Sequence, residues 1–117
     1  MDKKKNLIAV ASSDGIVVNN HFGKARTFYI YEEKDDKITY VEKREVEPVC
    51  NGGNHDDDRL QENLEKFTDC KYLLVSRIGY GAAAAAQSYG RDTYELPGMI
   101  EDSIRQVINY EKVKNLF

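Results

Sequence analysis

The sequence predicts an α/β fold: a mixed five-stranded sheet flanked by helices. Three observations carry this. Residues 6–12 and 71–76 are nearly continuous apolar runs closed by turn residues, the pattern of strands covered on both faces. Residues 27–33 and 37–46 are rich in aromatic and β-branched side chains and are separated by Asp35-Asp36, the pattern of a hairpin. After residue 57, helical and strand patterns alternate, which favours parallel strands joined by helical crossovers.

Taken in order, Leu7-Ile8-Ala9-Val10-Ala11 forms the first strand, and Ser13-Asp14-Gly15 supplies turn chemistry: Gly tolerates positive φ and Asp bonds nearby backbone. Ser12 to Gly23 reads as a loop, broken only by apolar Ile16-Val17-Val18 and Phe22. Thr27-Phe28-Tyr29-Ile30-Tyr31-Glu32-Glu33 is the second strand, and the more polar 37–46 is the third, nearer an edge. Residues 47–57 read as a loop rich in Gly, Asn and Asp. A helix follows, with Leu60, Leu64 and Phe67 on one face and Asp58 as cap with Gln61 three residues on. Tyr72-Leu73-Leu74-Val75 is a second buried strand. Arg77-Ile78-Gly79-Tyr80-Gly81 leads into the alanine run Ala82 to Ala86, of high helix propensity, and Gly90 ends that helix. Thr93 to Leu96 is a short strand, Pro97-Gly98 a turn, and the last helix runs from about Met99 to Tyr110 with Ile100, Ile104, Val107 and Ile108 inward. The order β-β-β-α-β-α-β-α matches a ribonuclease-H-like three-layer arrangement.

Bulk properties narrow the function. The 117 residues suit a single domain, 1–117, and 41% hydrophobic with 32% charged residues is ordinary for a globular chain. A net charge of −3 with scattered lysines argues against nucleic acid as the main partner. Lys3-Lys4-Lys5 before Leu7–Ala11 is not a secretory signal, because the apolar run is too short, and no stretch approaches the ~18 apolar residues of a membrane span. The expectation is a cytoplasmic protein in which Cys50 and Cys70 are free thiols.

Four segments can carry chemistry. Asn19-Asn20-His21-Phe22-Gly23 puts an imidazole in a glycine-punctuated loop, and neutral imidazole ligates iron, zinc and copper. From the residue alone, a hydrogen-bonded surface His is the commoner case, since a metal site needs partners. Cys50-Asn51-Gly52-Gly53-Asn54-His55 sets a thiol and an imidazole five residues apart, too few for a closed zinc site. Asp56-Asp57-Asp58 before Arg59 fits a hard cation less well than it fits the positive end of a helix. Arg77-Ile78-Gly79-Tyr80-Gly81 offers backbone N–H groups, close approach and a guanidinium to an anion, without the spacing of a Walker loop. Ser12 and Asp14 end one central strand and Gly79 to Gly81 follow the other. Ligands favour such strand ends in open α/β sheets, and His21 reaches that rim if its loop folds back.

Ile8-Ala9-Val10-Ala11-Ser12-Ser13-Asp14-Gly15, His21-Phe22-Gly23-Lys24-Ala25 and Phe28-Tyr29-Ile30-Tyr31 together resemble the nitrogenase iron–molybdenum cofactor biosynthesis family, which includes NifX-type carriers and the NifB C-terminal domain. Cys50-Asn51-Gly52-Gly53, Asp57-Asp58-Arg59-Leu60, Asp69-Cys70 and Arg77-Ile78-Gly79 are most similar to the NifB-tail branch, and the resemblance spans roughly residues 6–110. It implies a ribonuclease-H-like carrier, not a catalyst, for the iron–molybdenum cofactor or an iron–sulfur precursor cluster, working with nitrogenase cofactor-assembly proteins. It makes His21 the cluster ligand. The residues themselves, read beside it, offer Cys50 and His55 as further metal candidates and Ser12, Asp14, Phe22, Gly23, Arg77, Gly79 and Gly81 around the cofactor. The chain has no radical-SAM C-x₃-C-x₂-C motif, so that chemistry is not its own. Two alternatives stand beside this reading: a ligand-free regulatory or interaction domain, and a metal-dependent nuclease, which would need several inward carboxylates where only Asp14 sits near a central strand end.

Overall fold

The computed structural model describes residues 6–51, 54–55 and 57–116. Nine strands, three α-helices and a single 3-10 turn at Phe22–Lys24 are defined among them: β1 Asn6–Ala11, β2 Val17–Val18, β3 Thr27–Lys34, β4 Lys37–Glu45, β5 Cys50–Asn51, β6 Asn54–His55, α1 Asp57–Glu65, β7 Tyr72–Val75, α2 Tyr80–Ser88, β8 Asp92–Glu95, β9 Gly98–Met99 and α3 Ile100–Lys114. The main sheet is mixed and five-stranded, in the order β4-β3-β1-β7-β8. β3 lies antiparallel to both β1 and β4, whereas β1, β7 and β8 run parallel. The carboxyl ends of three neighbouring parallel strands therefore share one rim.

β1 and β7 are central and buried on both faces, which is why they read as unbroken apolar runs. Leu7, Ala9, Ala11, Leu73 and Val75 pack with Leu60 and Leu64 of α1, Phe67 just beyond it, and Ala82 and Ala86 of α2. Ile8, Val10, Tyr72 and Leu74 pack on the opposite face with Ile100, Ile104 and Val107 of α3. The helices thus form a layer on each side. The alanine run also packs: Ala82 and Ala86, one helical turn apart, are the buried pair that α2 sets on the sheet. That helix ends as expected. Gly90 takes φ +83 and donates to the Gln87 carbonyl at 2.9 Å, while Arg91 N–H reaches the Ala86 carbonyl at 3.0 Å.

The β3–β4 hairpin turns through Asp35 and Asp36, both at positive φ (52° and 66°), the left-handed pair a two-residue hairpin turn demands. β4 is an edge strand carrying a bulge. Ile30 pairs with Glu42 and Tyr31 with Tyr40, so the exposed Val41 is the extra residue.

Several expectations are corrected. The Ser12–Gly23 loop contains β2, which pairs antiparallel with β9, so Pro97-Gly98 is not a simple turn. Two-residue strands are too short to leave a periodic signal. Residues 47–57 hold the small β5–β6 ladder. Asp58 lies inside α1 rather than capping it, because the helix starts at Asp57. Phe67 keeps its buried place but follows the end of α1. α3 continues past Tyr110 to Lys114, since Glu111-Lys112-Val113-Lys114 contains no breaker and puts basic residues in the last turn. Among the described residues, no helix is long and apolar enough to cross a membrane.

Candidate functional site

The loop after β1 is shaped by a short set of side chains. Ser12 is buried and accepts hydrogen bonds from the N–H groups of Asp14 and Gly15 (3.3 and 2.9 Å), while its hydroxyl donates to Asp14 Oδ1 at 3.1 Å. The same Oδ1 accepts from Ile16 and Val17 N–H at 2.9 and 3.1 Å. Those two backbone donors hold the Asp14 carboxyl below its ordinary value. Gly15 takes φ +75 under the ring of Tyr29, where a Cβ would lie 2.9 Å from Cε1. Asn19 closes the loop: its Oδ1 accepts from Ser13 N–H and its Nδ2 donates to Ser13 Oγ, both at 3.0 Å.

Beyond Asn19 the chain folds back over the sheet end. Asn20 N–H donates to the Ala11 carbonyl of β1 at 3.4 Å, and the Asn20 carbonyl accepts from Ser76 N–H at 3.0 Å. Phe22 N–H then donates to the Arg77 carbonyl at 2.8 Å, and His21 and Arg77 form an isolated parallel bridge. Residues 20–22 therefore lie like a short extra strand across the ends of β1 and β7. Phe22 is buried and packs its ring against Phe28 with centroids 6.0 Å apart, so it pins the turn into the core instead of facing a ligand. His21, the residue before it, is exposed. Gly23 sits in the single turn of 3-10 helix Phe22–Lys24, and β5, which carries Cys50, lies against that turn. Cys50 and His55 are register partners in the β5–β6 ladder; their side chains fall outside the described residues.

The opposite wall is the turn from β7 into α2. Arg77 is exposed and, among the described residues, has no ion-pair partner. Gly79 is the N-cap of α2 and has no side-chain cap, and a Cβ at Gly79 or Gly81 would meet nothing within 4 Å. Packing within the chain thus demands neither glycine. Two groups here gave no sequence signal. Ser76 Oγ is buried and, among the described residues, has no hydrogen-bond partner. Glu95, the last residue of β8, accepts the Ile78 N–H at 3.1 Å.

Structure thus brings His21, Arg77, Gly79 and Gly81 to one rim, with Ser12 and Asp14 shaping the adjacent loop. Among the described residues, no three His, Cys, Asp or Glu side chains converge to hold a metal ion. The donor set is one imidazole, one guanidinium and the unpaired amides of a helix start. It fits a large anionic cargo carrying its own bridging ligands better than a bare ion. Cys70 takes no part. It is buried, and burial first, then the Asp69 carboxylate, pushes its thiol up to about 12.

The fold and rim define a class: a small α/β unit with a polar rim at the carboxyl ends of three parallel strands. Residues 4–110 match the model of the dinitrogenase iron–molybdenum cofactor family, and the chain belongs to that family. It is 34% identical over 104 residues to the FeMo cofactor biosynthesis protein NifB of Frankia alni, covering 86% of this chain and 20% of the relative. For the NifB of Chlorobaculum tepidum the values are 30% over 117 residues, 98% and 27%. The chain therefore spans about a fifth to a quarter of the length of these curated relatives. Among solved structures, the crystal structure of PH0822 superimposes with a TM-score of 0.66 at 24% identity, over 88% of this chain and 90% of that one. The NMR structure of a Thermotoga protein described as a candidate NifB gives 0.57 at 19%, over 89% and 88%. At such identities the likeness concerns the fold.

Proposed function

We propose that this chain binds and carries an iron–sulfur or iron–molybdenum cofactor, or its precursor, during nitrogenase cofactor assembly, as a carrier and not a catalyst. On this reading it acts as one domain, 1–117, in the cytoplasm, and exchanges its cargo with cofactor-assembly proteins. The observation that carries the proposal is the folded-back segment 20–22, which sets exposed His21 beside exposed Arg77 at the ends of β1 and β7. His21 supplies an imidazole to an iron of the cargo, Arg77 and the first amides of α2 offset its negative charge, and the open flank of Gly79 and Gly81 admits its bulk. A single imidazole ligand suits a cargo that must leave again. Cys50 and His55 are kept as auxiliary ligands because β5 lies against the turn that follows His21. The sheet order, with β3 alone running opposite to the other four strands, supports the ribonuclease-H-like reading of the fold. A nuclease is disfavoured, because the lone acid at the end of β1, Asp14, is engaged by the amides of its own loop.

Anaerobic gel filtration with extracted cofactor or a reconstituted iron–sulfur cluster tests this. Iron and visible absorbance should co-elute with the protein, fall strongly in His21→Ala, and weaken only slightly in Cys50→Ala. Full retention by His21→Ala would remove the ligand assignment, and no binding by the wild type would remove the carrier reading.

A further inference from the structure

Glu95 stands at the rim with no assigned role. Pairing of Val75 with Glu95 sets it beside the end of β7, and its carboxylate crosses to take the Ile78 N–H at 3.1 Å. Ile78 lies between Arg77, the bridge partner of His21, and Gly79, the N-cap of α2. The contact therefore fixes the turn that forms one wall of the site. Glu95 also shares this turn with Arg77, yet the two do not form an ion pair. The carboxylate is satisfied by an amide, and among the described residues the guanidinium has no ion-pair partner. The result is a fixed negative charge within a site whose remaining groups favour anions.

We propose that Glu95 is a positioning residue that sets how tightly the rim holds an anionic metal–sulfur cluster. Through Ile78 N–H it holds the Arg77–Gly79 turn in place, and from the same point its charge opposes that of the cargo and keeps the hold reversible. This rests on the carrier reading above. The two roles separate by substitution: Glu95→Gln keeps an oxygen that accepts the Ile78 N–H but removes the charge, whereas Glu95→Ala removes both. The probe is a mercaptoethanol-capped [4Fe–4S] cluster, a dianion, titrated anaerobically and read by the circular dichroism that binding induces in its visible bands.

Glu95→Gln should bind about two- to fivefold tighter than wild type at low ionic strength, with the gap closing in high salt, as expected for one partly screened charge near a helix start. Glu95→Ala should fall below Glu95→Gln, because the turn is released. The Ile78 amide should stay protected from solvent exchange in Glu95→Gln and lose that protection in Glu95→Ala. If wild type binds the probe and Glu95→Gln binds no tighter at low salt, the charge role is overturned while the carrier reading stands. Equal binding by the Gln and Ala variants overturns the positioning role. Absence of any induced signal from the wild type overturns both.

Discussion

Gly15 and Gly81 are the same residue type under opposite demands. Gly15 sits at φ +75 with the Tyr29 ring where a Cβ would go, so Gly15→Ala should cost about 1–2 kcal/mol in urea unfolding. Gly81 is in the first turn of α2 with open space around it, so Gly81→Ala should leave stability unchanged or raise it by up to about 1 kcal/mol. If cluster binding falls in that stable variant, the glycine serves the cargo and not the fold. Asp14 adds a pH dependence. Its folded carboxyl is held below 3.8 by the Ile16 and Val17 amides, so its contribution to the loop is present above that value and lost as pH falls through the lowered one. Measured against the intrinsic rate at each pH, the protection of the Ile16 and Val17 amides from exchange should fall there and stay level nearer neutrality. The turn role of Asp14 and Gly15 was legible from residue type. The clamp by Asn19 was not, because an Asn six residues from a Ser in a polar loop has no distinguishing pattern.

The five main strands and three helices were readable because each is long enough to show its period or its apolar run. β2, β9, β5 and β6 were not, since two residues show neither. Asp58 illustrates a different failure. Three consecutive aspartates precede Arg59, any of them chemically able to cap, so residue type cannot fix the register of the helix start. The connection from α1 to β7 makes a further prediction. Arg44 of β4 grips Asp69 through two bonds, at 2.8 and 2.7 Å, and so closes the hairpin over buried Cys70. With its thiol raised to about 12 against an ordinary 9.0, Cys70 contributes stability that is complete below 9.0 and fades as pH climbs toward 12. In a Cys50→Ser background, a thiol reagent at pH 8 should leave the native protein unmodified and react on unfolding.

Two helix layers share one sheet, and β1 and β7 contribute to both cores. Leu64 and Ile104, fully buried on opposite faces, should each cost about 2–5 kcal/mol on truncation to Ala. Their effects should add, and both variants should unfold in one transition, since the central strands couple the layers. This architecture was visible in the sequence because a strand buried on both faces requires a cover on each. The assembly of the rim was not. It depends on the backbone bonds of Asn20 to Ala11 and Ser76 and of Phe22 to Arg77, which no side-chain pattern encodes. His21 was identifiable as a candidate from its turn and the family likeness, whereas Glu95 acts through an amide 17 residues away and left no trace.

The extra residue in β4 bears on how these molecules meet in a crowded solution. A free sheet edge nine residues long is a template on which another chain can continue the ladder, but the bulge at Val41 throws the donors and acceptors on either side out of phase. A visiting strand can match the first half of the edge or the second, and not both. Excising Val41 would restore one uninterrupted row, and light scattering should then register concentration-dependent association where the parent chain stays dispersed.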